Sequence, residues 1–483
     1  METKITTNKE VSLWEALIPV VALIIMLAYN VYVFGDASLG GSNQFVLLLG
    51  GAIAAVVGHF NKVSFHKMLE EVANNIKSTA GALLILLLVG ALAGTWMVSG
   101  IIPSMIYYGL QILSPAIFLP ATLIICSIIS LATGSSWTTS ATVGIALIGI
   151  GGALGFDLGM VAGAVVSGAY FGDKLSPMSD TTNLAPAMAG TDLFTHIKYM
   201  TITTIPTYII TLILFIILGL SVDVKGEVAT ESLLAAIDAS FHVTGWLFLV
   251  PVLVIALIVK KTEPLVALLV GVVLAGIFAI IFQPQVINQL AGVTQMSFES
   301  AYKGVMQAIT TKVSVPTDNK TLIDLFTSGG MEKMLPTIWL IICAMVFGGI
   351  MEAIGALAKI SAALLKVATT TFGLFASTVG SCLVLNITAS DQYLAIVVPG
   401  KMFAQAYKDK NLAPENLSRT LEDTGTVTSV LVPWNTCGAY QAGTLGVATL
   451  DYLPYAFFNI LSPITTLVFA AFNIKIRQLI ATK

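Results

Sequence analysis

Long apolar stretches recur along the chain and limit what it can fold into. Leu13 to Phe34, Thr79 to Val98 and Pro454 to Phe472 are three examples. Each is close to the ~20 apolar residues with which a helix crosses the hydrocarbon core of a bilayer. The sequence is 56% hydrophobic and 10% charged, with a mean hydropathy of +0.91. A soluble domain carries roughly 25% charged residues, so the composition indicates a membrane protein.

The apolar runs, divided at Gly, Pro and charged residues, predict an all-α polytopic membrane helix bundle of about 11–14 segments. The first run exceeds the 7–15 residues of the apolar region of a signal peptide, so we predict a span rather than a cleaved signal peptide. Short segments within 134–171 and 391–449 are interpreted either as broken helices or as re-entrant hairpins. The predicted segments are 12–33, 43–60, 79–98, 114–133, 134–154, 155–171, 197–220, 241–259, 264–283, 335–355, 372–390, 391–404, 419–449 and 453–474.

Basic residues predict the orientation. Lys62, Lys67 and Lys77 follow the second segment, whereas the connections 34–42 and 99–113 contain no Lys or Arg. Because Lys and Arg gather on the cytoplasmic side, we expect both termini in the cytoplasm and the protein in the cytoplasmic membrane. The scattered basic residues and the net charge of -3 suggest no nucleic-acid partner. The apolar runs make the lipid bilayer the expected partner. The oligomeric state stays open, with a homo-oligomer as one alternative.

A long polar connection, 284–334, divides the single membrane transporter domain, 1–483, and is predicted to face outside. Polar interruptions echo each other on its two sides: Thr133-Gly-Ser-Ser-Trp-Thr with Thr388-Ala-Ser-Asp-Gln-Tyr, and Asp180-Thr-Thr-Asn with Asp423-Thr-Gly-Thr. We therefore predict two repeat-related halves, with cores at 114–220 and 335–474. In such transporters the site lies where interrupted helices meet near the midplane.

Hydroxyl groups dominate the first interruption, which includes Ser135 and Ser136. Na⁺ is a hard cation that prefers oxygen ligands, and a helix break offers hydroxyls and free carbonyls. The alternative is that small hydroxyl residues only let membrane helices pack closely. We interpret the cluster as part of a cation site.

The second interruption, 172–186, combines prolines, acids and amides that do not suit a lipid-facing helix. Asp180 is the leading candidate for a carboxylate at which Na⁺ and H⁺ compete. For Asp173 and Lys174, accessory residues here, the alternative is a solvated cytoplasmic loop. Further candidate ligands in this interruption are Thr181, Thr182 and Asn183.

The third interruption places Asp391 within an otherwise apolar run, with Thr388 and Ser390 beside it and Asn386 as an accessory residue. A charge at that depth costs at least about 2.5–3.5 kcal/mol on insertion scales, which favours a functional role.

The fourth interruption begins with two adjacent acids, of which one is expected to face the site while the other pairs with a base such as Arg419. Its candidates are Glu422, Asp423, Thr424 and Thr426, with Asn435 as an accessory residue.

Other polar residues are interpreted as structural. Four distant cysteines without a CxxC pair favour buried apolar roles. His59, His66, His196 and His242 are expected at wet or interfacial span ends. No HExxH, Walker or GxSxG motif occurs, so we expect no enzyme and no cofactor.

Two long motifs resemble the NhaC family of sodium/proton antiporters: Gly168-Ala-Tyr-Phe-Gly-Asp-Lys-Leu-Ser-Pro-Met-Ser-Asp-Thr-Thr-Asn-Leu-Ala-Pro186, and Glu422-Asp-Thr-Gly-Thr426 followed by Val432-Pro-Trp-Asn-Thr-Cys-Gly438. The resemblance implies exchange of Na⁺ for H⁺ by alternating access, with Na⁺ as transported or coupling ion. It also implies an alternative, since some relatives couple ions to malate/lactate exchange or amino acid transport. Candidates for binding such an anion are Lys174, Lys401 and Arg419. We favour the interpretation that they are topological charges, that is, cytoplasmic basic residues that only set the orientation of the chain in the membrane.

A Na⁺/H⁺ antiporter is therefore the leading prediction, and an ion-coupled carrier of a small carboxylate or amino acid is the second. A channel or an intramembrane enzyme is a third, weaker alternative.

Overall fold

Helices form almost all of the computed structural model, which describes residues 10–34, 41–222, 227–317, 323 and 326–479. Within these residues, eight helices are long and apolar enough to cross a membrane, and two bent pairs bring the number to as many as ten. The bent pairs are Glu231–Ser240 with Gly245–Val259, and Thr449–Tyr455 with Phe457–Ala471. The predicted all-α membrane bundle is confirmed.

The first part of the chain contains the long scaffold helices and two interrupted ones. Its helices are α1 (Leu13–Phe34), α2 (Ser42–Phe60), α3 (Phe65–Val98), α4 (Ile101–Ile112), α5 (Pro115–Thr133), α6 (Ser136–Thr139), α7 (Ile145–Ala153), α8 (Leu158–Leu175), α9 (Asp180–Ala189) and α10 (Leu193–Ser221), with a π turn at Ser140–Gly144 between α6 and α7.

The second part contains a short antiparallel pair of strands, β1 (Val313–Ser314) and β2 (Thr327–Ser328). Its helices are α11 (Glu227–Ser240), α12 (Leu249–Val259), α13 (Pro264–Phe282), α14 (Pro284–Ala291), α15 (Phe298–Thr310), α16 (Leu335–Ala353), α17 (Ala356–Lys366), α18 (Thr371–Thr388), α19 (Gln392–Asp409), α20 (Pro414–Leu421), α21 (Thr436–Leu445), α22 (Thr449–Tyr452) and α23 (Phe457–Ala471). Single turns of 3-10 helix lie at Gly245–Phe248, Met331–Met334, Ser429–Leu431 and Leu453–Tyr455, and a π turn lies at Glu422–Thr426.

Helices stop and restart inside the protein at four breaks, which we number in chain order. Break 1 separates α5 from α6, break 2 separates α8 from α9, break 3 separates α18 from α19, and break 4 precedes α21. The expected broken helices are therefore confirmed. The segment predicted as 419–449 is subdivided into α20, two irregular turns and α21. Two of the breaks lie in each part of the chain, and the repeat itself stays a prediction.

The connection 284–334 carries helices of its own, because α14, α15 and the two strands all lie in it. It packs closely on α3: a Cβ at Gly94 would lie 1.8 Å from the carbonyl oxygen of Ala308, and one at Gly90 would lie 2.4 Å from that of Gly330. This connection is thus part of the packed bundle rather than a free loop.

The most extensive helix pair, α5 with α8, joins breaks 1 and 2. A Cβ at Gly172 on α8 would lie 2.4 Å from the backbone oxygen of Ser127 and 2.5 Å from the backbone nitrogen of Leu131, both on α5. Ser130 donates its hydroxyl to the carbonyl oxygen of Ala169 at 2.5 Å. Small residues let the two backbones touch, and this contact holds both breaks in a fixed relation.

We expect Gly172→Ala to destabilise the protein by about 1–3 kcal/mol, because its methyl group would overlap backbone atoms that cannot move away independently. Gly380→Ala is the matched control, since its Cβ would meet only the Leu364 side chain at 3.8 Å. Thermal unfolding in detergent compares the two variants. Equal unfolding temperatures would contradict the close contact of α5 and α8.

Candidate cation-binding site

A cavity of about 510 Å³ lies where breaks 1, 2 and 3 face α3 and the connection between α12 and α13. Asp173, Asp180 and Asp391 all line it. In the described part of the chain, no three His, Cys, Asp or Glu side chains converge closely enough to hold a metal ion together. The three carboxylates therefore line a common cavity, but they do not converge on a single ion position. The sequence-predicted residues that line the cavity are Ser135, Ser136, Asp173, Asp180, Thr181 and Asp391.

Break 1 is held by a side chain from another helix. Gly134 ends α5 in the left-handed region, with φ 70°, and the hydroxyl of Ser135 accepts from the backbone N–H of Thr138 at 3.1 Å. From α8, Asp173 Oδ2 accepts from the Ser136 N–H at 3.1 Å and from the Ser136 hydroxyl at 2.7 Å. A carboxylate satisfies free N–H groups at a helix start and suits its positive dipole end. Asp173 thus fixes the start of α6 at the cavity wall.

Two alternative interpretations of the second interruption are wrong. Asp173 and Lys174 do not lie in a solvated loop, because both belong to α8 and are only 8% and 0% exposed. Lys174 is also no topological charge, since it is enclosed within the bundle. Burial of a lysine requires a partner inside the protein.

Break 2 presents Asp180 as the first residue of α9, exposed to the cavity. Ser179 caps this helix by accepting from the N–H of Thr182 at 3.4 Å. Thr182 donates its hydroxyl to carbonyl oxygens near the end of α8 at 3.0 and 3.2 Å. Asn183 donates to carbonyl oxygens of the break at 2.7 and 3.0 Å. Thr182 and Asn183 therefore satisfy the broken backbone, and Asp180 faces the cavity.

Break 3 places Asp391 at the start of α19, where its carboxylate accepts from the N–H of Leu394 at 3.0 Å. The side chain is buried, with 5% exposed. Ser390 adopts a left-handed backbone, φ 59°, and its carbonyl accepts from the N–H of Thr436 at 2.9 Å. Thr388 donates to a carbonyl of its own helix at 2.8 Å. Ser390 and Thr388 shape the break without lining the cavity.

Two asparagines tie break 3 to break 4. Asn386 donates to the carbonyl of Gly425 at 2.9 Å and to the hydroxyl of Thr428 at 3.0 Å. Asn435 caps α21 and donates to the carbonyl of Asn386 at 3.0 Å. Both side chains are buried and act as links between helices.

Asp423 lies away from the cavity in a buried ion pair with Lys174. Its second oxygen accepts from the hydroxyls of Thr203, at 2.9 Å, and Thr466. Lys174 also donates to Ser462 at 3.1 Å. The pair joins α8, α10, α23 and the π turn, and its hydrogen bonds offset the cost of burying two charges.

Arg419 does not supply the predicted partner for an adjacent acid. It is fully buried, its guanidinium lies 4.6 Å from the ring centre of Tyr199, and none of its nitrogens has a hydrogen-bond partner among the described residues. The base that pairs with Asp423 is Lys174. The interpretation of Arg419 as a topological charge is also wrong, because it is not exposed.

Glu422 lies next to the cavity wall. Its Oε1 accepts from the hydroxyl of Thr181 at 3.0 Å, and Thr181 lines the cavity. Thr424 and Thr426 are buried nearby in the same π turn and do not line the cavity. Of the two adjacent acids, Glu422 is thus the one connected to the cavity.

Several polar residues around these groups were not predicted. Gln392 lines the cavity, and Thr203 binds Asp423. Thr203, Thr207 and Thr211 repeat every four residues, which marks one polar face of α10. This spacing was the one weak signal in the sequence that pointed to Thr203. His196, expected at a wet span end, is fully buried and its Nδ1 lies 2.8 Å from the hydroxyl of Ser418.

The cavity carries an excess of negative charge. None of its three aspartates forms an ion pair within the described residues. Lys261 and Glu263 also line the cavity, and their opposite charges cancel, so the charge of the aspartates remains. Carboxylates in a cleft with low-dielectric walls attract cations. Hydroxyl groups beside them supply the oxygen ligands that Na⁺ prefers.

Comparison with known proteins places this architecture in a family. The family model described as Na+/H+ antiporter family matches residues 168–474, more than half of the chain. The chain is 39% identical to the Na(+)/H(+) antiporter NhaC of Alkalihalophilus pseudofirmus, over 88% of this chain and 89% of the relative.

Two further relatives have different names. The chain is 37% identical to the malate-2H(+)/Na(+)-lactate antiporter of Bacillus subtilis, over 92% of this chain and 91% of the relative. It is 35% identical to the arginine/ornithine antiporter ArcD of Halobacterium salinarum, over 95% and 92%. The chain therefore belongs to the Na⁺/H⁺ antiporter family.

Proposed function

We propose that the protein exchanges Na⁺ for H⁺ across the cytoplasmic membrane by alternating access. The observation that carries this proposal is that Asp173 and Asp180, on either side of break 2, and Asp391, at break 3, line one cavity and form no ion pair among the described residues. Membership of the Na⁺/H⁺ antiporter family supports it. Na⁺ and H⁺ are the proposed partners, and the mechanism requires no cofactor.

The chemistry of exchange rests on oxygen groups that accept either ion. Asp180 is exposed to the cavity, and Asp173 and Asp391 are buried at its wall. Protonation of a carboxylate removes the charge that attracts Na⁺, and bound Na⁺ disfavours protonation. We propose that Na⁺ binds one or more of these carboxylates together with hydroxyl oxygens such as those of Ser135 and Thr181.

The orientation follows from the positive-inside rule. Lys261 lies on the cavity wall in the α12–α13 connection, which we propose to be cytoplasmic together with both termini. Deeper in the protein, Trp137 on the wall stacks on Tyr440, with ring centres 4.0 Å apart. The cavity would then be open toward the cytoplasm, with the aromatic pair closing it toward the other side.

A second candidate function is ion-coupled transport of a small carboxylate or amino acid. The observation that favours it is the cavity volume of about 510 Å³, which falls within the roughly 300–1,000 Å³ of small-molecule pockets. Relatives named for malate, lactate, arginine and ornithine exchange support this candidate.

We expect Asp173→Asn, Asp180→Asn and Asp391→Asn each to reduce Na⁺-driven proton movement to the level of protein-free liposomes, because each substitution removes a cavity charge while keeping side-chain size. The measurement uses proteoliposomes with an internal pH dye and an imposed Na⁺ gradient. Asp409→Asn is the control, since that acid is exposed at the end of α19, away from the cavity, and accepts from Gln405 at 2.6 Å. Normal exchange in all three variants would reject the proposed cation site.

For the wild type, we expect a Na⁺ gradient to move protons when no organic solute is present. Vesicles are tested with Na⁺, Li⁺ and K⁺, first alone and then with a panel of carboxylates and amino acids. Ion movement that requires one of these solutes would select the second candidate function instead. Flux without any counter-ion would indicate a channel and would contradict both.

A further inference from the structure

Glu422 is a fully buried carboxyl group that the proposed cation site does not use. It begins the π turn Glu422–Thr426, a rare geometry that is frequent at functional sites. Its Oε1 accepts from the Thr181 hydroxyl at 3.0 Å, and its Oε2 has no hydrogen-bond partner among the described residues. One half of this carboxyl group is therefore unsatisfied inside the bundle.

The neighbouring acid has the opposite environment. Asp423 is paired with Lys174 and accepts from the hydroxyls of Thr203 and Thr466. These contacts stabilise a negative charge. Lys174 directs its ammonium group to Asp423 and Ser462, so it forms no ion pair with Glu422.

No other base forms an ion pair with Glu422 in the described residues. Arg419, one turn earlier, stacks on Tyr199, and His196 on α10 has Ser418 as its partner. On α8, Asp173 is a further acid whose charge acts on Glu422. An unpaired buried carboxylate is costly, and such a group takes up a proton instead. The surroundings of Glu422 thus favour its neutral, protonated form when the cavity holds no cation.

Thr181 connects Glu422 to the cavity. The residue lines the cavity, and its hydroxyl donates to Glu422. The Ser179 hydroxyl lies 3.2 Å from the hydroxyl oxygen of Thr181. A cation that binds the Thr181 oxygen polarises the O–H group and strengthens its donation to Glu422. Both the positive charge and the stronger hydrogen bond favour the ionised carboxylate. Binding of a cation and release of the proton from Glu422 are then linked, with one charge replacing the other.

We propose that Glu422 is the proton-binding site of the exchange, separate from the cation cavity and coupled to it through the Thr181 hydroxyl. The proposal rests on the proposed function and assigns its two ions to different groups. Asp423 and Lys174 form the fixed ion pair beside this site, and the cavity aspartates bind the cation.

The test separates two transport modes in proteoliposomes. Exchange of labelled Na⁺ for unlabelled Na⁺ needs cation binding and alternating access but no proton, whereas Na⁺-driven proton movement needs both sites. Glu422→Gln mimics the protonated carboxyl group in size and charge. We expect it to bind Na⁺ more weakly, because its side chain is permanently neutral, yet to retain Na⁺/Na⁺ exchange at saturating Na⁺ and to lose Na⁺-driven proton movement to the level of protein-free liposomes. Asp173→Asn should lose both modes.

Glu415→Gln is the matched control, because Glu415 lies on α20 and pairs with Arg477 near the protein surface; both modes should continue. Thr181→Val is a second variant, which removes the hydroxyl and leaves Glu422 unchanged. Because the Thr181 hydroxyl is also a proposed Na⁺ ligand, this variant should weaken Na⁺ binding in both modes, but at saturating Na⁺ it should impair proton movement more than Na⁺/Na⁺ exchange. It keeps the proposal testable if Glu422→Gln does not fold in a thermal unfolding assay.

The outcomes are distinct. Normal proton movement in Glu422→Gln overturns the proposal and assigns the proton to a cavity aspartate. Loss of both modes in folded Glu422→Gln also overturns it, because the residue would then belong to the cation site or to the transport movement. Equal impairment of both modes in Thr181→Val at saturating Na⁺ overturns the coupling. A wild type without Na⁺-driven proton movement contradicts the proposed function itself.

Discussion

The need to satisfy broken backbone inside a membrane governs the structure. A bilayer offers no water to the free N–H and C=O groups at a helix end, so each break must find polar partners within the protein. Asp173 from α8 serves the start of α6, and Asp391 serves the start of its own helix, α19. The same carboxylates that stabilise the breaks thereby line the cavity. The polar groups that stabilise the breaks are also those that line the cavity, because hydrogen-bonding groups are required at the breaks.

A second constraint is the separation of charge between two regions. Lys174 and Asp423 neutralise each other in the bundle interior with hydroxyl donors around them, while the cavity aspartates have no ion-pair partners in the described residues. A fixed pair holds α8, α10, α23 and the π turn together. An unpaired acidic cavity leaves room for an exchangeable cation. Thr181 connects the two regions through Glu422.

Much of this arrangement could be predicted from the sequence. Apolar runs predicted the membrane bundle, and polar interruptions predicted the breaks. Asp391 was proposed as a site residue because an acid at membrane depth is costly unless it has a role, and Asp180 because its interruption does not suit a lipid-facing helix. The same reasoning failed for Lys174 and Arg419: a base near a break has the same sequence signature whether it is a topological charge or a buried group. Thr203 lay in an ordinary apolar helix and gave only a weak periodic signal.

The sequence by itself determined the class of the protein, because hydrophobicity and helix-breaking residues act locally along the chain. It also marked which interruptions carry carboxylate and hydroxyl groups. Only the tertiary structure decided which acid faces the cavity and which is paired. Asp423 lies far from Lys174 in sequence and next to Glu422, yet its partner is Lys174 and the partner of Glu422 is Thr181. Adjacent side chains on a helix point in different directions, and packing between distant helices selects what each one meets.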